Sequence, residues 1–201
     1  MGHTPNVITL NEARRQADAL AQEAAAMVAQ FGIVQHLAAL GDVEQRGSSV
    51  HELMVRRDVD FNVYAEEPLL ARAADVARNL IDLPDMYGVQ INNLLLRQPP
   101  PGMPRGIYLG IKPMVRGQIW TIDAWYLRKD DALDQIEFGT EWWGAVSPAQ
   151  RDAMLVLKAT LQAQGRYGKE FLSAEIYRAV RDGGVATVAE LERWHVGYMP
   201  H

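Results

Sequence analysis

The sequence predicts an α/β protein of the α+β type: a small mixed sheet with helices, followed by a C-terminal helical part. Two observations indicate this class. Apolar and polar residues alternate over residues 59–63, which is typical of a strand with one buried face. After residue 145 the apolar spacing is helical throughout. We therefore predict a core over residues 1–145, which includes an N-terminal helix, and a helical region over residues 146–201.

The composition is that of an ordinary globular protein, and it narrows the range of partners. The chain has 201 residues, of which 48% are hydrophobic, and a formal net charge of -5. This acidic balance argues against extended binding to nucleic acid. The absence of cysteine excludes disulfides, thiolate zinc sites and cysteine nucleophiles. Because we find neither an apolar run of about 18 residues nor a signal-peptide pattern, we predict a cytoplasmic protein with no membrane partner.

The N-terminal part is predicted to be a helix that leads into a strand and a tight turn. Residues 11–40 are rich in Ala, Gln and Leu at helical spacing, and we expect Gly32 to interrupt this helix. Gly41-Asp42 ends it. The next segment, residues 43–46, is predicted to be a strand that ends in the turn Gly47-Ser48-Ser49.

The strand at residues 58–63 is predicted to have one apolar face, with Val59, Phe61 and Val63, and one carboxylate face, with Asp58 and Asp60. The segment before it, residues 49–57, is predicted to form a short helix or an ordered loop. After it, Pro68 introduces a helix over residues 69–80, because proline is favoured at the first helical position.

Three more apolar runs complete the predicted sheet. Residues 89–96 form the first, and the proline-rich segment 99–102 after it is predicted to be a loop. Residues 106–112 and 118–127 are rich in Ile, Tyr and Trp, and residues 113–117 join them as a hairpin connection. The sheet is therefore predicted to be mixed or antiparallel at this edge.

The C-terminal region is predicted to contain helices only. Ser147-Pro148 supplies an N-cap and a proline at the first helical position, which opens the first of these helices. Two more are predicted over residues 171–181 and 188–194, and Gly183-Gly184 stops the former.

Three aspartates form the candidate chemical site. Asp58 and Asp60 lie two positions apart on a predicted strand, so both side chains leave the same face and can share a divalent cation. Asp123 lies in an apolar run, where an ionised side chain is costly unless it is paired or bound to a metal. Mg²⁺, which prefers oxygen ligands, would satisfy all three carboxylates.

Other aspartates do not fit the third ligand position. Asp75 falls in a predicted helix, and Asp82 and Asp85 lie in a turn-like context, so none of them projects from a sheet. Asp123 is therefore the predicted third ligand.

The Gly47-Ser48 turn is the candidate phosphate-binding element. Glycine lets backbone amides approach an anion closely, and the hydroxyls of Ser48 and Ser49 can donate hydrogen bonds to phosphate oxygens. Arg57 lies beside Asp58, and its guanidinium is suited to contact a phosphate. We predict Gly47, Ser48, Ser49 and Arg57 as nucleotide-binding residues.

Taken in order, these motifs resemble the nucleotidyltransferase superfamily, which includes DNA polymerase beta and the small antibiotic nucleotidyltransferases. The family pattern is Gly-Ser or Gly-Gly after a strand, then Asp-x-Asp on the next strand, then a third Asp on a later strand. Gly47-Ser48, Asp58-Val59-Asp60 and Asp123 follow that order within residues 43–127. Gln45-Arg46 departs from the pattern, because the residue before the glycine is usually apolar in the family.

The resemblance implies a metal-dependent transferase. Such an enzyme moves a nucleoside monophosphate from a nucleoside triphosphate, ATP by default, to a hydroxyl acceptor and releases pyrophosphate. Asp58, Asp60 and Asp123 would then hold two Mg²⁺ ions, with Asp123 also helping to deprotonate the acceptor. Gly47 and Ser48 would hold the triphosphate. The acceptor would be a small polar molecule such as an antibiotic, or else a protein or a tRNA end.

Two other functions stay open at this point. A non-catalytic nucleotidyltransferase-like domain would bind a partner protein as a regulatory module, although a scaffold has no reason to keep three clustered carboxylates. A metal-dependent phosphohydrolase is disfavoured by the lack of histidine near the aspartates. A homodimer is compatible with each of these functions.

The remaining charged and aromatic candidates are predicted to lie outside the chemical site, with contact between the charged ones and the triphosphate as the alternative. Lys158, Lys169 and Arg166 are predicted to be surface charges, because such side chains are mostly exposed. Trp142 and Trp143 are predicted to belong to a hydrophobic core, with a ligand pocket as the alternative.

Overall fold

The computed structural model describes residues 7–96, 103–132 and 138–197, and the predicted loop at residues 99–102 lies outside them. By its internal contacts the chain forms two units. The sheet unit comprises Ala21–His51 and Arg57–Glu137, and the helical unit comprises Met1–Leu20, Glu52–Arg56 and Phe138–His201.

The local sequence patterns produce helices and strands close to the predicted positions. The helices are α1 (Leu10–Gln30), α2 (Ile33–Ala38), α3 (Leu70–Ile81), α4 (Lys129–Ala132), α5 (Thr140–Gly144), α6 (Pro148–Ala163), α7 (Ser173–Gly183) and α8 (Val188–Gly197). The strands are β1 (Asp42–Arg46), β2 (Asp58–Ala65), β3 (Met86–Asn93), β4 (Gly106–Val115), β5 (Gln118–Ile119) and β6 (Thr121–Arg128). In the described ranges, no helix combines the length and apolar character needed to cross a bilayer.

Gly32 interrupts the N-terminal helix, as predicted. Its φ of 57° lies in the left-handed region, which glycine adopts without a steric penalty. The chain therefore leaves α1 and starts α2 in a new direction, and Ile33 and Leu37 of α2 become fully buried.

The sheet unit contains a six-stranded mixed sheet, which confirms the predicted fold class. The strand order is β1-β2-β6-β4-β3, and β5 pairs with β4 outside this path. β2 and β6 are parallel, whereas the other neighbouring strands are antiparallel. The predicted hairpin is present, since β5 and β6 pair back along β4. Its turn is shorter than the predicted connection of residues 113–117, because β4 continues to Val115 and only Arg116-Gly117 remain between the strands.

Alternation along the strands gives the sheet two different faces. Val59, Phe61 and Val63 of β2 are fully buried, and the alternate positions between them are half-buried. The helix α3 packs against β3 and β4 with buried residues at helical spacing, namely Ala73, Val76, Ala77 and Leu80. Because successive strand residues point to opposite sides, Asp58 and Asp60 leave the face opposite to the apolar residues of β2.

The helical unit has a hydrophobic core of its own, formed largely by α6 and α7 with Leu191 of α8. Gly184, with a φ of 64°, ends α7 in the left-handed conformation. Trp143 is buried in this core and Trp142 packs against it, which confirms the predicted core role of Trp143.

A capping box opens α6, as the Ser147-Pro148 signal predicted. The Ser147 hydroxyl accepts a hydrogen bond from the Gln150 amide at 3.2 Å, and the Gln150 side chain accepts one from the Ser147 amide at 2.9 Å. Two backbone donors at the helix start are thereby satisfied.

We expect the Ser147→Ala variant to lose about 1 kcal/mol of free energy of unfolding, because the first turn of α6 loses its side-chain acceptor. Urea denaturation measures this loss. Ser147→Asp keeps an acceptor at the same position and should retain the stability of the wild type. An equal loss in both variants would contradict the capping role.

The predicted surface position of Lys158 is wrong, since this side chain is fully buried in the helical unit. Its Nζ donates a hydrogen bond to the Tyr177 hydroxyl at 2.9 Å and lies 5.4 Å from the centre of the Tyr167 ring. These contacts offset part of the cost of removing an ammonium group from water. By contrast, Lys169 is exposed, as predicted.

Candidate active site

The parallel pairing of β2 with β6 brings the predicted aspartates together. In the register of these strands, Asp60 is the direct partner of Asp123, and Asp58 is the partner of Thr121. Asp123 alternates with the buried residues Ile122 and Ala124, so its side chain leaves the same face of the sheet as that of Asp60.

The three carboxylates form a cluster that could hold a divalent cation. Asp58, Asp60 and Asp123 are each half-buried, and each offers one oxygen so that the three atoms lie within 4.8 Å of one another. Oδ1 of Asp58 is shielded from solvent. Oxygens on opposite sides of one Mg²⁺ lie about 4.2 Å apart. The three carboxylate oxygens, all within 4.8 Å of one another, would need only small side-chain movements to share one ion. Carboxylate oxygens are also the ligands that Mg²⁺ prefers.

The Gly47 turn lies directly against Asp60. β1 ends at Arg46, whose partner on β2 is Asp60, and Gly47 then turns the chain with a φ of 71°. A Cβ atom at position 47 would overlap Oδ2 of Asp60. Glycine is therefore required here both for its backbone conformation and for the space that the carboxylate occupies.

The two serines of the turn have different surroundings. The Ser49 hydroxyl donates a hydrogen bond to the carbonyl oxygen of Arg46 at 3.1 Å and accepts one from the Gln45 side chain at 2.9 Å. These bonds hold the turn in shape. Ser48 is half-buried in the same short 3₁₀ turn, which spans Gly47–Ser49. The turn thus places Gly47 against Asp60. Ser48 follows Gly47 in the same turn, and the contact of either residue with a phosphate stays a prediction.

Arg57 makes contacts that support the fold beside Asp58. Its guanidinium forms an ion pair with Glu23 at 3.1 Å and lies 6.0 Å from the centre of the Trp120 ring. Its carbonyl oxygen accepts a hydrogen bond from the amide of Thr121. These contacts give Arg57 a structural role within the sheet unit, and its contact with a nucleotide stays a prediction.

Tyr108 is a site residue that the sequence interpretation missed. Its hydroxyl donates a hydrogen bond of 2.6 Å to Oδ1 of Asp123. Burial and this hydrogen bond to the carboxylate hold the pKa of Tyr108 well above its usual range, so the phenol remains a donor. A tyrosine in an apolar strand gives no signal of such a contact, because the contact depends on the pairing of β4 with β6.

No protein-family model matches the chain, and no curated protein matches it significantly. The structure itself brings Gly47 and the three aspartates together on one side of the sheet.

Proposed function

We propose that this protein is a metal-dependent nucleotidyltransferase, which moves a nucleoside monophosphate from a nucleoside triphosphate to a hydroxyl acceptor. The observation that carries the proposal is the cluster of Asp58, Asp60 and Asp123 oxygens within 4.8 Å, with the Gly47 turn against it. A turn with a glycine that lets the backbone approach phosphate, beside carboxylates that can bind a cation, provides what nucleotidyl transfer requires.

In this proposal, Asp58, Asp60 and Asp123 hold Mg²⁺, as two ions. When bound, Mg²⁺ neutralises charge on the phosphate oxygens and lowers the pKa of the attacking hydroxyl. Gly47 and Ser48 bind the triphosphate through backbone amides and the serine hydroxyl. The acceptor oxygen forms a bond to the α-phosphorus, its proton passes to Asp123, and the bond to the bridging oxygen breaks to release pyrophosphate.

The charge of the chain supports a small acceptor. A net charge of -5 disfavours a polyanionic nucleic acid, for which binding depends on neutralising phosphates. We therefore propose a small molecule with free hydroxyl groups as the acceptor. ATP is the default donor.

Transfer of a labelled nucleotide tests the proposal. The protein is incubated with Mg²⁺, each α-labelled nucleoside triphosphate in turn, and a panel of hydroxylated acceptors including a cell extract. We expect label in an acceptor together with released pyrophosphate, and we expect both signals to disappear with EDTA or in Asp60→Ala. If the wild type neither binds a nucleotide with metal nor releases pyrophosphate, the transferase proposal is wrong and a non-catalytic binding module becomes the better interpretation.

A further inference from the structure

The Tyr108 side chain reaches Asp123 diagonally across two paired strands. On β4, Tyr108 is the direct partner of Trp125, and Gly110 is the direct partner of Asp123. Tyr108 and Gly110 are two residues apart, so Tyr108, Gly110 and Asp123 share one face of the sheet. Diagonal neighbours on such a face lie about 7–8 Å apart, which a tyrosine side chain can span.

Gly110 provides the space in which the Tyr108 ring lies. A Cβ atom at position 110 would be 2.7 Å from the Tyr108 hydroxyl oxygen and 3.1 Å from two ring carbons. Any larger residue would push the ring out of this position. The backbone of Gly110 does not adopt a positive φ, so the need for glycine here comes from the ring above it.

Trp125, the register partner of Tyr108, also contacts the ring. The ring centres of Tyr108 and Trp125 are 5.2 Å apart with an angle of 54° between the planes. Aromatic pairs at this spacing attract each other and restrict rotation. Trp125 and Gly110 together therefore fix where the Tyr108 hydroxyl lies.

We propose that Tyr108 is a positioning residue, which fixes the rotation of the Asp123 carboxylate so that this carboxylate can share a divalent cation with Asp58 and Asp60. The inference rests on the proposed function, because it concerns the same cluster. With Oδ1 held by the 2.6 Å hydrogen bond, the second oxygen of Asp123 has a defined position. Hydrogen bonds that orient a ligating carboxylate generally raise the affinity of the site for its metal.

Binding of Mn²⁺, measured from the free-ion signal in electron paramagnetic resonance, tests this inference. Mn²⁺ is titrated into the protein with and without a non-hydrolysable ATP analogue. We expect Tyr108→Phe, which keeps the ring and removes the hydroxyl, to weaken Mn²⁺ binding about 10- to 100-fold. Thermal unfolding in EDTA shows whether the variant retains its fold.

Tyr64→Phe is the matched control. Tyr64 lies on β2 and also donates a hydrogen bond from its hydroxyl to a carboxylate, that of Glu44, at 2.9 Å. The same atom is removed, but Glu44 is not a member of the aspartate cluster. We expect the affinity of Tyr64→Phe for Mn²⁺ to equal that of the wild type.

Gly110→Ala tests the same inference without removing a donor. The added Cβ displaces the Tyr108 ring, so the hydroxyl can no longer orient Asp123. We expect weaker binding of Mn²⁺, by about 10-fold, in the direction of the Tyr108→Phe effect. Unchanged affinity in either variant would overturn the positioning role, because each removes the contact between the Tyr108 hydroxyl and Asp123.

The results separate this inference from the proposed function. If the wild type binds Mn²⁺, Asp60→Ala does not and Tyr108→Phe binds as the wild type does, the positioning role is wrong and the transferase proposal stands. If Tyr108→Phe binds weakly but no nucleotide is ever transferred, the positioning role is supported and the transferase proposal is wrong. A wild type that binds no Mn²⁺ under either condition overturns both.

Discussion

The Asp60→Asn variant is expected to lose about a thousandfold in the rate of nucleotidyl transfer, equivalent to about 4 kcal/mol of transition-state stabilisation. Asp60 is central to the cluster, because it is the register partner of Asp123 and it also contacts the Gly47 turn. Asparagine keeps the size of the side chain but removes its charge. Metal affinity and charge neutralisation should therefore fall while the fold is retained.

Transfer assays at saturating nucleotide and increasing Mg²⁺ measure this loss, and circular dichroism checks the fold. Asp75→Asn is the control, since Asp75 lies on α3 and its carboxylate forms an exposed ion pair with Arg78. This control should keep the wild-type rate, because an exposed pair contributes little. A folded Asp60→Asn variant with the wild-type rate would show that the cluster is not the active site.

The Gly47→Ala variant is expected to lose about 100-fold in transfer rate. The new Cβ would overlap Oδ2 of Asp60, so the carboxylate must move away from its position in the cluster. A displacement of about 1 Å at a reacting centre can cost a factor of about 100. The positive φ at this position adds a loss of about 1 kcal/mol in the free energy of unfolding.

Gly117→Ala separates these two effects. Gly117 has a φ of 74°, close to the 71° of Gly47, but no described atom beyond Gly117 and its two chain neighbours lies within 4 Å of the position that its Cβ would take. We expect a similar loss of stability in urea denaturation and no change in transfer rate. Equal activity losses in the two variants would mean that backbone strain, and not displacement of Asp60, causes the effect at Gly47.

The polar residues Gln45 and Arg46 at the end of β1 are compatible with a strand because of its place in the sheet. Gln45-Arg46 departs from the family pattern of an apolar residue before the glycine, yet the predicted strand is present as Asp42–Arg46. The reason is that β1 lies at the end of the strand order and, among the described strands, pairs with β2 alone. Edge strands tolerate charged and polar side chains, because much of their surface faces solvent.

Local sequence patterns were enough to predict the main elements and the candidate carboxylates. Alternation over residues 59–63 specified which face of β2 carries Asp58 and Asp60, since side chains of a strand point to opposite sides in turn. Gly32 and the Ser147-Pro148 signal specified where helices begin or break, because φ and capping are local properties.

Which strands are neighbours, and in what register, became known from the folded chain. Alternation specifies a face but not a partner, so it could not show that Asp60 lies beside Asp123 or that Tyr108 reaches Asp123 over Gly110. The burial of Lys158 could not be predicted from the sequence for the same reason, because its partner Tyr177 belongs to another helix. The aspartates could be named from their spacing, whereas the contacts that orient them arise from strand pairing between distant segments.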